Sequence, residues 1–208
     1  MTDRDKHLAQ LSEIKNLMES STRFISLSGL SGVFAGVWAI IGAAVAFYII
    51  GEGSYVLDMQ RIAIYFQDGR YIYLLLDALG IFLLALTTGI FFTVRKARKE
   101  NQPIWNKLTM RVAANLAIPL VSGGLFCIIL MYHGIFGLIG PATLIFYGLA
   151  LVNASKYTLN DIRFLGLIEI ILGLIACFFI GYGLLFWVIG FGILHIIYGV
   201  SMYYKYER

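Results

Sequence analysis

Two residues in the last quarter of the chain have the types and spacing to exchange a proton. Glu169 sits in Gly166-Leu167-Ile168-Glu169-Ile170-Ile171-Leu172-Gly173, and His195 in Gly190-Phe191-Gly192-Ile193-Leu194-His195-Ile196-Ile197-Tyr198-Gly199. Each lies thirteen residues from Tyr182, in the triplet Gly181-Tyr182-Gly183. If that triplet turns an antiparallel helical pair, a rise of 1.5 Å per residue sets both side chains about 20 Å below the turn, at one depth. Gly166, Gly173 and Ala176 share the stripe of Glu169, and Gly192 and Gly199 that of His195, so two glycine-lined faces are expected to meet. A carboxylate bonded to an imidazole there can switch near neutral pH, which is the chemistry of proton coupling or pH sensing. The same pair also fits a satisfied structural contact that holds the last two helices together.

Two further polar residues interrupt apolar runs. Asp77 is expected about 9 Å inside one end of its helix. There it would act as a cation or proton entry group beneath residues 51–70, or reach outward to pair with Arg61 or Arg70. Asn115 stands four residues before Pro119, and proline has no N–H to offer the carbonyl of residue 115. A kink and an exposed carbonyl are expected there. Each such group needs a reason, because a charge at the centre of a membrane helix costs about 2.5–3.5 kcal/mol on insertion scales.

Other chemistries lack their residues. There is no HExxH, no phosphate-binding glycine loop and no GxSxG. Cys127 and Cys177 lie in apolar runs without CxxC spacing, so they read as small core residues. Neither a cofactor, a metal site nor an enzyme activity is expected.

The elements that must position these residues follow from composition. The chain has 208 residues, of which 60% are hydrophobic and 13% charged, with a mean hydropathy of +0.82. About 25% charged residues is usual for a soluble domain, so a soluble globule is excluded. Apolar stretches at 24–50, 71–94, 112–132, 136–153, 163–181 and 184–204 approach the length that crosses a bilayer. The expected fold is therefore all-α, a polytopic membrane protein of six transmembrane helices in one domain over 24–204. The first stretch is too long for a signal peptide and follows Asp3, Asp5, Glu13 and Glu19.

Residues 1–23 read as a cytoplasmic amphipathic helix, with Leu8, Leu11, Ile14, Leu17 and Met18 on one face. Residues 205–208 read as a short cytoplasmic tail. The net charge of +4 is a matter of orientation. Fourteen of the 16 Lys and Arg residues fall before the first stretch, between 95 and 111, at Lys156 and Arg163, or at Lys205 and Arg208. Only Arg61 and Arg70 fall on the other side, so the positive-inside rule places both termini in the cytoplasm. The run Arg95-Lys96-Ala97-Arg98-Lys99 follows from that rule, with contact to anionic lipid or a protein as its alternative reading. The bilayer is the expected partner and nucleic acid is not.

Small residues at Ser28, Gly32 and Gly36 form a stripe at four-residue spacing. Such stripes let helix backbones approach closely, so the first span is expected at the centre of the bundle or at a homodimer interface. Gly173, Gly192 and Gly199 are expected to pack helices in the same way. Arg23, Arg111 and Arg163 open alternate spans, which fits either three repeated hairpins or the preference of Arg for helix entry points.

The glycine-punctuated runs 166–173 and 190–199 resemble the hairpins of HdeD-like acid-resistance membrane proteins. The whole chain also resembles uncharacterised bacterial six-helix membrane proteins that open with an amphipathic segment and a Ser/Gly-rich first span. The resemblance implies a bacterial inner-membrane location and no enzyme activity. Neither Glu169 nor His195 maps onto a functional position of that family. Two roles are thus expected: a small proton- or ion-linked transporter, channel or stress-related permeability protein, or a structural or regulatory subunit acting through its N-terminal helix and basic 95–111 segment.

Overall fold

A computed structural model describes residues 27–50, 69, 71–101 and 104–208. The expected amphipathic helix and most of the 51–70 segment lie outside the described residues. Six long helical elements run through the rest: α1 Gly29–Ile50, α2 Tyr71–Lys99, α3 Lys107–Tyr132, α4 Ile139–Ala154, α5 Asn160–Phe178 and α6 Gly183–Tyr206. No strand occurs among the described residues. Short 3-10 turns, Phe136–Leu138 and Ser155–Tyr157, flank α4.

Five helical segments are long and apolar enough to cross a membrane: α1, α2, α3, α6, and α4 taken with its flanking turns as Phe136–Tyr157. The exception is α5, with 19 residues that include Asp161, Arg163 and Glu169. Large apolar side chains point outward along the long helices, among them Leu76, Ile118, Ile171 and Ile197. Exposed apolar surface on this scale is compatible with a membrane protein.

Two groups of helices build the bundle. In the first, α1 packs on both α2 and α6; in the second, α4 lies between α3 and α5. Glycines set the closeness of approach. A Cβ on Gly36 would come within 2.6 Å of the Gly192 carbonyl oxygen, and one on Gly199 within 2.5 Å of the Val33 amide. Gly32 faces Gly199, whose Cα would lie 3.1 Å from a Cβ added at Gly32. In the second group, Gly148 of α4 and Gly166 of α5 pack backbone against backbone.

This arrangement corrects several expectations. The glycine-lined faces of α5 and α6 do not meet: Gly173 packs on Pro141 and Ile145 of α4, while Gly192 and Gly199 pack on α1. On α1, Gly32 and Gly36 face α6 of the same chain. Ser28 is buried and immediately precedes α1, which begins at Gly29. The helix α2 continues to Lys99 and takes up the basic run assigned to a loop, because Arg95, Lys96, Arg98 and Lys99 are good helix formers at a C-terminus, where the macrodipole favours cations.

The expected free tail is also folded in. Lys205 and Tyr206 close α6, and both bond Asp161 in the first turn of α5, the ammonium at 3.0 Å. Partial burial would raise the Asp161 carboxyl, but the Tyr206 hydroxyl and then Lys205 outweigh it and hold the group below its ordinary value. At the same end, Leu151, Leu159, Ile162, Leu165 and Met202 form a buried core.

Candidate functional site

Glu169 and His195 meet. The Glu169 Oε1 to His195 Nδ1 distance is 3.4 Å, with the two residues 0% and 5% exposed. Three elements place them: α5 carries Glu169, α6 carries His195, and α4 contributes Tyr147.

The segment before His195 has a particular shape. Residues Val188–Leu194 form a π-helical stretch within α6. Such stretches are rare and cluster at functional sites, because the wider turn displaces side chains and carbonyls from the regular register. Gly190 and Gly192 supply the freedom for it. Gly190 is also required by space, since a Cβ there would lie 2.5 Å from Glu169 Oε2 and from Leu144 Cδ2. Thus Gly190, not the expected Gly192 and Gly199 face, is what lets the carboxyl group approach α6.

The imidazole has two fixed partners. Its Nδ1 lies 2.9 Å from the Gly190 carbonyl oxygen and its Nε2 lies 2.8 Å from the Tyr147 hydroxyl. A carbonyl only accepts, so Nδ1 carries the proton; the neutral ring then accepts at Nε2 from Tyr147. Phe191 and Tyr147 line the ring on its other sides, with centroid separations of 5.9 and 5.3 Å. Neither Glu169 oxygen has a hydrogen-bond partner among the described residues. Its charge can be met only by the imidazole beside it, and an isolated carboxylate in such a place is costly.

Asp77 is elsewhere. It lines a cavity of about 260 Å³ between the two helix groups, with Ala46, Ala78, Thr143 and Trp187. None of Glu169, His195 and Tyr147 lines that cavity. Arg61 and Arg70, its expected partners, lie outside the described residues. Thr87 and Thr88, further along α2, bond carbonyls of their own helix.

Asn115 does not join the site either. Its side-chain amide donates to the Arg111 carbonyl at 2.8 Å. The carbonyl that Pro119 leaves open is taken instead by Asn153 of α4, whose Nδ2 lies 3.1 Å from Asn115 O. Sequence reading missed both Asn153 and Tyr147. Proline chemistry pointed to a missing donor, and an amide in the facing helix was the signal for it; a lone tyrosine in an apolar run gives no such signal.

Among the described residues no cluster of three or more His, Cys, Asp or Glu side chains could hold a metal. Cys127 and Cys177 are free thiols. No family model, curated protein or solved structure matches the chain.

Proposed function

We propose that the chain is an integral membrane protein with six spanning helices and both termini in the cytoplasm, and that it works as a small proton-linked transporter rather than as an enzyme. The asymmetry of Lys and Arg along the sequence supports the orientation. The resemblance to bacterial six-helix proteins supports an inner-membrane location.

One observation carries the functional reading: a carboxyl group without a hydrogen bond stands 3.4 Å from an imidazole beside a π-helical segment. A proton arriving at Nε2 turns the ring into a cation. Its Nε2–H then donates to Tyr147, whose own hydroxyl hydrogen must turn away, and the ring pairs with the Glu169 carboxylate. Loss of the proton breaks the pair. The π-helical stretch is the element able to shift register in answer, so proton binding and helix position are linked.

A second reading is favoured by the separation of the two polar sites. The cavity at Asp77 ends at Thr143 and Trp187 without reaching Glu169. On that reading the cluster is structural, and the chain is a non-transporting subunit that engages a partner through its N-terminal segment and the basic residues of 95–111.

Reconstitution into liposomes loaded with a pH-sensitive dye separates them. An imposed pH gradient should collapse faster than in protein-free vesicles, and E169Q and H195Q should each remove the difference. Dissipation equal to that of empty vesicles sinks the transporter reading and leaves the structural one.

A further inference from the structure

The cavity at Asp77 has a chemistry of its own, independent of the reading given to Glu169 and His195. Its described walls come from α1, α2, α4 and α6, with Phe136, Gly137 and Gly181 from the turns before α4 and α6, and among these residues only Asp77, Thr143 and the Trp187 indole have polar side chains. Thr143 donates its hydroxyl hydrogen to the Gly140 carbonyl at 2.7 Å. No Lys, Arg or His side chain lines the space among the described residues. Among the described residues, what lines the cavity is therefore one carboxylate, two aromatic side chains and largely aliphatic surface.

Each part selects the same kind of ligand. A carboxylate in the lining of an apolar space attracts a cation, and Phe136 and Trp187 in the same lining are aromatic groups of the kind an ammonium group contacts favourably. The aliphatic walls reward an apolar body. A volume of about 260 Å³ falls just under the ordinary range for small-molecule pockets, roughly 300–1,000 Å³, so the ligand must be small. We propose that this cavity binds a small lipophilic cation, an aryl or alkyl ammonium, with Asp77 as its counter-charge and Trp187 and Phe136 as its aromatic wall.

The test uses the full-length protein in dodecyl maltoside with benzyltrimethylammonium as the probe, followed by calorimetry and by tryptophan fluorescence. The expected result is saturable binding with a fluorescence change. Neopentylbenzene, its uncharged counterpart, should bind at least about tenfold more weakly, the size of a partly desolvated charge contact, and phenylacetate should not compete. D77N should lose about the same factor, with helical content and thermal stability checked alongside. The comparison of charged and uncharged probes on the unaltered chain needs no variant to fold. Absence of saturable binding, equal binding of the two probes, or wild-type affinity in a folded D77N protein would each overturn the assignment.

Discussion

Glu207 caps a helix whose first residue, Gly29, lies 178 positions away in the sequence. Its Oε2 accepts from the Ser28 hydroxyl at 3.2 Å, and its Oε1 accepts from the Gly29 amide. The N-terminus of α1 therefore carries a carboxylate, which its macrodipole favours. Lys96 completes the contact: its ammonium bonds the Leu27 carbonyl at 2.9 Å and stands 3.8 Å from Glu207. The start of α1 and the ends of α2 and α6 are joined at this one place.

Replacement of Glu207 should thus unsettle three helices. E207A leaves two donors at α1 without their acceptor and a buried cation without its counter-charge, a loss of about 1–3 kcal/mol. Thermal unfolding in detergent should fall accordingly, and a second change, K96M, should recover part of it by removing the buried charge. An unchanged midpoint in E207A would show that the contact contributes nothing.

Glu169 and His195 should respond unequally. His195 has bonds to Gly190 and Tyr147 and also faces Glu169, so H195L orphans three groups and should cost about 3–5 kcal/mol. E169L removes a carboxyl group that has no hydrogen bond, so it should be close to neutral in stability. Equal losses in the two variants would contradict the bonding pattern.

Asn153 should matter more than Asn115. N153A leaves the Asn115 carbonyl unpaired opposite Pro119 and should cost about 1 kcal/mol, whereas N115A removes only a bond to its own helix. Thermal midpoints of the two single variants, measured side by side, decide the order.

Glycines should divide by neighbour rather than by helix. Alanine is favoured over glycine inside a helix by about 0.8–1.0 kcal/mol. That gain should appear at Gly80, Gly89 and Gly124, where an added Cβ meets nothing within 4 Å. At Gly36 and Gly199 the Cβ would strike backbone at 2.6 and 2.5 Å, so the sign should reverse. A stabilised G36A protein would refute the close packing of α1 on α6.

The contact of Asp161 with Lys205 and Tyr206 should give stability a dependence on acid. Its carboxyl is lowered in the folded chain, so its contribution is present above the ordinary carboxylate value and is lost as pH falls through the lowered one. D161N should therefore unfold earlier than the parent at pH 6, and the gap should close as the pH falls below about 4. A gap that persists unchanged at low pH would assign the effect to packing instead.

Much of this architecture was legible in the chain. Apolar runs located all six helices, since long runs of apolar residues bounded by charged or turn-forming ones mark where helices begin and end. The equal spacing of Glu169 and His195 about Tyr182 anticipated their meeting, and Gly181 indeed adopts the positive φ of 106° that a tight turn there requires. The count of charges in α5 was the weak point of the six-span reading, because Asp161 and Arg163 stand at its start and Glu169 within it.

What the sequence by itself determined was helix number, apolar length and the few polar residues with no ordinary reason to be buried. Those are properties of local composition and period. Which helix packs on which was decided only in three dimensions: α6 pairs with α1 through Gly36, Gly192 and Gly199, and α5 turns its glycines to α4. Glycine stripes announce close approach without naming a partner, since any backbone can fill the space a missing Cβ leaves. Tyr147, Asn153 and Glu207 gained their roles in the same way, from contacts across the bundle that no spacing along the chain encodes.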